Sequence, residues 1–161
     1  LNDSAEGGGR VLGEVCHFID LSRFLVGAAI VSVRADALTG AGDAAEDVSV
    51  SLSFADGSLA TIAYTAQGDA AFGKERIEAF AGGTATTIED FRVLTIAEDD
   101  RVKRSKARLG QDKGIRGELE AFVRAARAGG PAPVDEAELI ETSRATVAAL
   151  ESLRSGNRID V

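Results

Sequence analysis

The alternation of hydrophobic and polar positions predicts a helix, then a series of strands, then two closing helices. From Gly13 to Val26 apolar residues recur with the 3.6-residue period of an amphipathic helix. Residues 28–38 are strand-like, and residues 48–54 alternate apolar and polar positions with the period of two that strands show. The predicted apolar face of the first helix comprises Val15, Phe18, Ile19, Leu21, Ser22, Leu25 and Val26.

Turn signals divide the middle of the chain into neighbouring strands. Asp56-Gly57 predicts a two-residue hairpin between residues 48–54 and 58–66, and Gly82-Gly83 predicts a turn after residues 74–81. Two further strand patterns follow, TATTIED and RVLTIAE. Up-and-down strands joined by short turns indicate an antiparallel sheet that is apolar on one face.

Two helices are predicted after a charged segment at residues 98–108. The first covers about 113–128, and the second covers about 135–153. Asp135 can cap the second helix, with Glu138 three residues later in a capping-box-like pair. The predicted inward residues are Leu119, Phe122, Val123 and Ala126, then Ile140, Val147 and Leu150. The element order predicts a single α+β domain over residues 1–161, an open, mostly antiparallel sheet with helices packed on one face.

Composition narrows the class of protein. The 161 residues are 45% hydrophobic, enough for a core, and the net charge of −8 disfavours nucleic acid as a partner. One cysteine cannot form an internal disulfide, and no apolar run is long enough for a membrane span or a signal peptide. These features predict a cytoplasmic protein. The polar, glycine-rich start at Leu1 predicts a fragment of a longer polypeptide, or else a small complete protein after tag removal.

The chemistry-bearing residues cluster around the only histidine, His17, which follows the only cysteine, Cys16. Two adjacent ligands without a second pair do not make a zinc site. Glu14 and Asp20 lie three residues from His17 on a predicted polar stripe and could orient it for general acid–base catalysis. The alternative is a surface histidine on an amphipathic helix. Cys16 borders the apolar face, so it is expected to be a small core residue rather than a nucleophile.

Glycines 7, 9 and 13 precede this histidine without matching a dinucleotide fingerprint, because Leu12 stands where a small residue is needed and no strand comes before it. They indicate either close approach of backbone and ligand or a flexible linker. The basic run at residues 101–108 lacks aromatic residues. A solvated strand edge or a mobile loop is expected there, with contact to a substrate phosphate as the alternative.

Several motifs together resemble one family. They are GGGRVLGEVCHFIDLSRFL, QGD, GKERIE, QDKG, ELEAFV and ETSRATVAALESLRSGNRIDV, and they occur in order over nearly the whole chain. This pattern resembles the C-terminal domain of Gfo/Idh/MocA oxidoreductases, the glucose–fructose oxidoreductase and inositol dehydrogenase family. The form around Cys16 and His17 resembles its nucleotide-sugar dehydrogenase and bi-domain branch. The resemblance implies the second domain of a dihydrodipicolinate-reductase-like fold, with the Rossmann domain absent from this chain.

The resemblance also implies a function. In the family, NAD or NADP binds to the Rossmann domain, the second domain contacts a sugar-like substrate, and its sheet face often forms a homo-oligomer. A histidine on the first helix assists proton transfer from the substrate hydroxyl, and His17 matches it. Many members carry an aspartate where this chain has Gly13, so the resemblance leaves two alternatives. Either Glu14 substitutes for the aspartate, or the lysine of the missing Rossmann domain transfers the proton alone.

Substrate contacts are expected from the same resemblance at Arg10, which suits an anionic group, and at Gly9, Gly13, Lys74 and Lys113. Three functions then compete. The first is the substrate domain of an NAD(P)-dependent sugar, cyclitol or nucleotide-sugar dehydrogenase, inactive without its cofactor domain. The second is a non-catalytic sugar-binding and dimerisation module. The third is a stand-alone acid–base enzyme that uses His17 and Glu14.

Overall fold

The computed structural model describes residues 9–38, 46–69, 71–107, 110–111 and 113–161. The chain forms two compact units, residues 1–67 with 134–161 (the first unit) and residues 68–133 (the second unit). The organisation as one domain over residues 1–161 stays a prediction. Among the described residues, no helix is both long and apolar enough to span a membrane.

The elements confirm the predicted order of helix, strands and helices. They are a π-helical turn (Val11–Val15), α1 (Cys16–Val26), β1 (Ile30–Ala37), β2 (Val48–Phe54), β3 (Leu59–Tyr64), β4 (Arg76–Ala81), β5 (Thr84–Glu89), β6 (Val93–Glu98), β7 (Arg101–Lys106), α2 (Ile115–Ala128), α3 (Glu136–Ser155) and β8 (Ile159–Asp160). The fold is α+β with antiparallel strands, as predicted, but these strands form two four-stranded sheets rather than the single predicted sheet.

The first unit holds a four-stranded antiparallel sheet in the order β3–β2–β1–β8. The period-two prediction for β2 is confirmed, because Val48, Val50, Leu52 and Phe54 are buried while the serines between them are exposed or half-buried. A hairpin is confirmed at Asp56-Gly57, but its loop has three residues, 55–57, rather than two, because the Phe54 amide donates to the Ser58 carbonyl. Asp56 Oδ1 accepts a hydrogen bond from the Ser58 amide at 2.9 Å. One face of this sheet is therefore the core face.

Helices α1 and α3 cover that face. Helix α3 packs on β1 and α1, and α1 also contacts β3. The face of α3 toward the sheet consists mainly of small residues, Ala145, Ala148 and Ala149, with Leu150 as its large member. The prediction for Leu150 is confirmed. The predictions for Ile140 and Val147 are wrong, since these side chains are 47% and 57% exposed on a helix whose alanine face makes the close contact.

The start of α3 confirms half of the predicted capping box. Asp135 Oδ1 accepts a hydrogen bond from the Ala137 amide at 2.9 Å. Glu138 does not complete the box, because its carboxylate lies 2.6 Å from the guanidinium of Arg23 on α1. A long-range ion pair has replaced the local contact that the sequence predicted.

The second unit holds an antiparallel sheet in the order β4–β5–β6–β7, together with α2. Gly82 and Gly83, at φ 56° and 83°, adopt the left-handed backbone that a two-residue type I′ turn requires. Residues 101–106 of the basic run form β7, a charged and exposed edge strand, and residue 108 lies outside the described residues. The predicted core stripe of α2 is wrong for this chain, because Leu119 and Phe122 are 60% and 62% exposed and no described residue of this unit is buried.

Candidate active site

The helix that carries His17 begins earlier than predicted. The backbone has right-handed helical angles from Arg10, and Gly9 before it has a φ of 75°, in the left-handed region that favours glycine. Gly13 lies inside a π-helical turn rather than in a loop, and the Cys16 amide donates to the carbonyl of Val11, five residues back. Single π-helical turns within helices occur often at functional sites. The sequence gives no signal for this turn.

His17 is exposed immediately after the π-helical turn, and its Nδ1 lies 3.5 Å from the Sγ of Cys16. The thiol donates to the carbonyl of Leu12 at 2.9 Å. Burial, with the negative charges of Glu14 and Asp20 as lesser causes, raises the pKa of the Cys16 thiol. A protonated thiol with its hydrogen directed at a backbone carbonyl is a poor nucleophile, and a catalytic role for the neighbouring His17 stays a prediction.

The carboxylates predicted to orient His17 have separate environments. Asp20 Oδ1 accepts from the hydroxyl of Thr142 on α3 at 3.0 Å. Glu14 is half-buried in the π-helical turn, and among the described residues no hydrogen bond joins it to His17. Asp20 therefore fixes the helix to its neighbour, while the pairing of Glu14 with His17 stays a prediction.

A second contact fixes the same helix further along. Arg23 reaches Glu138 and Glu141 on α3, at 2.6 Å and 3.4 Å, and its side chain is only 17% exposed. The other oxygen of Glu141 accepts from the Ile30 amide at 2.6 Å. These contacts join α1, α3 and the start of β1, so the position of His17 depends on α3.

Arg10 lies at the start of the same helix and is half-buried. Its Nη1 donates to the hydroxyl of Tyr64, at the end of β3, at 3.3 Å. Its Nε is buried with no hydrogen-bond partner among the described residues. The ring of Tyr64 lies 6.4 Å from that of Phe18, centroid to centroid. Sequence reasoning did not single out Tyr64, although it is the only tyrosine in the chain.

A buried carboxylate, also missed from the sequence, holds the segment that follows Tyr64. Asp47 accepts from the Thr65 hydroxyl and the Ala66 amide, each at 2.7 Å, and from the side-chain amide of Gln67 at 3.0 Å. Asp47 is 5% exposed. These bonds, led by the one from the Gln67 side chain, lower the pKa of Asp47. The network fixes the chain beyond Tyr64.

Two predicted contacts, Lys74 and Lys113, belong to the second unit. Lys74 is exposed. Lys113 forms an ion pair with Glu75, with 2.8 Å between Nζ and Oε1, and its Nζ lies 5.7 Å from the ring centroid of Phe91. Lys113 thus already has a carboxylate partner, and a role in substrate binding stays a prediction for both lysines.

The described residues contain no βαβ unit of the kind that carries a dinucleotide fingerprint. Every strand pair in both sheets is antiparallel, whereas the dinucleotide fingerprint requires a parallel βαβ unit. Over the same residues, no group of three or more histidine, cysteine or acidic side chains is placed to hold a metal ion. The groups available for chemistry are acid–base and hydrogen-bonding side chains.

Comparison with known proteins identifies the family. The model of the GFO/IDH/MocA C-terminal domain matches residues 1–89, more than half of the chain and the whole segment with Arg10, His17 and Tyr64. The chain belongs to the GFO/IDH/MocA C-terminal domain family. No curated protein sequence gives a significant match to this GFO/IDH/MocA C-terminal domain.

Solved structures share the fold of this GFO/IDH/MocA C-terminal domain at low sequence identity. UDP-N-acetylglucosamine 3-dehydrogenase from Acidithiobacillus ferrooxidans is 21% identical, with a TM-score of 0.75 over 94% of this chain and 50% of that one. Aldose-aldose oxidoreductase from Caulobacter crescentus, complexed with glycerol, is 15% identical, with a TM-score of 0.81 over 99% and 50%. An oxidoreductase from Agrobacterium radiobacter, in complex with NAD+, L-tartaric acid and magnesium, is 15% identical, with a TM-score of 0.75 over 93% and 48%. The chain spans about half the length of these structures.

Proposed function

We propose that this chain is the substrate-binding part of an NAD(P)-dependent oxidoreductase that acts on a CH–OH group of a sugar, cyclitol or nucleotide sugar. The observation that carries the proposal is the exposed His17, placed after a π-helical turn on the helix that the family model covers. The solved relatives support it, since they include a UDP-N-acetylglucosamine dehydrogenase, an aldose-aldose oxidoreductase and an oxidoreductase bound to NAD+.

The role of this chain is to bind the sugar and accept a proton. His17 takes the proton of the hydroxyl that is oxidised, and Glu14, three residues earlier, supplies nearby negative charge. NAD or NADP supplies the hydride acceptor and binds outside this chain, because the described residues hold no parallel βαβ unit. The proposal includes a cytoplasmic homo-oligomer assembled through the sheet face.

A second function is a sugar-binding and dimerisation module without chemistry. One observation favours it: among the described residues, no carboxylate is hydrogen-bonded to His17, and Asp20 is bonded to Thr142 instead. Without a hydrogen-bonded carboxylate the imidazole lacks the partner that usually orients a catalytic histidine. In such a module His17 would contact the sugar and take no proton.

Replacement of His17 separates these functions. In the full-length enzyme, His17→Ala should lower kcat for sugar oxidation by about 10²- to 10⁴-fold, the usual contribution of a general base. NADH formation is the assay, and circular dichroism checks the fold. Cys16→Ser is the matched control, since a serine hydroxyl can keep the bond to the Leu12 carbonyl and turnover should persist. Unchanged kcat in His17→Ala, with weaker sugar binding, would favour the binding module.

Measuring NADH binding by the 161-residue chain alone tests where the cofactor binds. This chain should show no saturable binding of NADH at micromolar concentration and no turnover. Saturation in that range, followed by NADH fluorescence, would place a dinucleotide site within this chain and overturn the assignment of roles. Activity of this chain alone, abolished by His17→Ala, would instead support a stand-alone acid–base enzyme.

A further inference from the structure

Arg10 has no counter-charge among the described residues. It is half-buried, its Nη1 donates to the neutral hydroxyl of Tyr64, and its buried Nε has no acceptor in the described part of the chain. Among the described residues, no carboxylate lies within ion-pair distance of its guanidinium. Over the residues that the structure describes, the charge of this guanidinium therefore has no carboxylate partner.

Arg23 is a second arginine with little solvent exposure, and it can be compared with Arg10. Its side chain is 17% exposed, and two carboxylates, those of Glu138 and Glu141, lie within 3.4 Å of it. Removing a charge from water is costly unless the charge is paired and hydrogen-bonded. The difference between Arg23 and Arg10 therefore indicates that an anion outside the described residues completes the environment of Arg10.

The residues around Arg10 are held in place by contacts with one another. Tyr64 accepts one of the five N–H bonds of the guanidinium and leaves the charge itself unneutralised. The ring of Tyr64 lies against Phe18, the residue next to His17. Asp47 fixes the three residues after Tyr64 by hydrogen bonds. Tyr64 is therefore a positioning residue for the side chain of Arg10, at the start of the helix that carries His17.

We infer that Arg10, positioned by Tyr64, binds a carboxylate or phosphate group of the substrate, so that the substrate is an anionic sugar derivative. The inference deepens the proposed function and rests on it for the identity of the ligand as a substrate. A planar guanidinium can donate two parallel hydrogen bonds to an oxyanion, which is the geometry that favours arginine at carboxylate and phosphate sites. A neutral sugar would leave the charge of Arg10 uncompensated.

The kinetic test compares paired substrates in the full-length enzyme. The pairs are glucose with glucuronate and glucose with glucose 6-phosphate, and the quantity measured is the ratio of kcat/KM for the anionic sugar to kcat/KM for the neutral one. Arg10→Gln should lower this ratio by about 10- to 100-fold, the range of a lost hydrogen bond to a charged group. Any general damage to the enzyme affects both members of a pair and cancels in the ratio.

Further variants separate charge from geometry. Arg10→Lys keeps the charge but loses the planar fork, so it should recover part of the ratio. Tyr64→Phe should lower the ratio by a smaller factor, because it only frees the guanidinium. Arg116→Gln is the matched control, since it removes the same charge from a side chain that is 92% exposed on α2, and it should leave the ratio unchanged.

A binding measurement distinguishes failure of the site from failure of the proposed function. The Nε–H signal of Arg10 is followed by NMR in the 161-residue chain, titrated with sodium glucuronate, glucose 6-phosphate, glucose and sodium chloride. A shift with the sugar anions alone, when the full-length enzyme turns over none of these sugars, keeps the anion site and rejects the dehydrogenase. Turnover with a ratio that Arg10→Gln does not alter keeps the dehydrogenase and rejects the site. Equal shifts with all four solutes also reject the site.

Discussion

The hydroxyl of Ser152 on α3 accepts a backbone hydrogen bond from β1 that a neighbouring strand would otherwise accept. Ser152 is fully buried, accepts a hydrogen bond from the Ala35 amide at 2.8 Å and donates to the Asn157 carbonyl at 2.6 Å. Strand β8 pairs with β1 only at Ser32 and Val33. Beyond the end of β8, the Ala35 amide would therefore lack a partner without this serine.

Replacement of Ser152 by alanine should destabilise the first unit by about 2 kcal/mol, since a buried donor left without an acceptor costs about 1–3 kcal/mol. Most of this loss in stability comes from the amide of Ala35, which would lose its acceptor in a residue that is only 1% exposed. Asn157 is exposed, so its carbonyl can turn to water. With a urea m-value of about 2 kcal/mol/M, the unfolding midpoint should fall by about 1 M.

Urea unfolding followed by circular dichroism measures this change, and amide hydrogen exchange at Ala35 reports the same contact locally. Ser143→Ala is the matched control, because Ser143 lies on the same helix and its hydroxyl donates only to its own helix, to the Leu139 carbonyl at 2.8 Å. The control should stay within about 0.5 kcal/mol of the wild type. The reasoning fails if Ser152→Ala and Ser143→Ala have the same midpoint and Ala35 exchange is unaltered.

Five other substitutions, two of them controls, test the remaining structural claims. Ile19→Ala, at a side chain with no exposure, should cost about 2–5 kcal/mol in urea unfolding, whereas Phe24→Ala on the same helix, at 76% exposure, should cost less than about 0.5 kcal/mol. Gly27→Ala should cost about 1 kcal/mol through its φ of 72° alone, since nothing lies within 4 Å of the added Cβ, and Gly68→Ala, equally open but without a positive φ, should be nearly neutral. Because the pKa of Asp47 is lowered on folding, its charge stabilises the fold above the unfolded value of about 4, and this contribution is lost as the pH falls through the lower folded pKa. Asp47→Asn should therefore flatten the decline of the urea midpoint below about pH 4, and equal slopes in both proteins would contradict the assignment.

The pattern of hydrophobic, polar and turn-forming residues was sufficient to predict most helices and strands, because each of these signals depends on residues close together in the sequence. The alternation in β2, the Asp56-Gly57 and Gly82-Gly83 turns and the Asp135 cap each depend on a few neighbouring residues. Strand β8 was missed because two residues carry no periodicity, and it exists only through pairing with β1. The π-helical turn was missed for a related reason, since a single bond from the Cys16 amide to the Val11 carbonyl leaves no mark on residue spacing.

By itself, the sequence determined the order of the elements, the α+β class and the place of His17 on the first helix, because periodicity and turn residues act over short distances. Only the tertiary structure decided which polar groups meet. It brought Arg10 to Tyr64, Asp20 to Thr142 and Glu138 to Arg23. It also left the apolar stripe of α2 exposed, since an amphipathic pattern marks a face to be covered but does not specify what covers it.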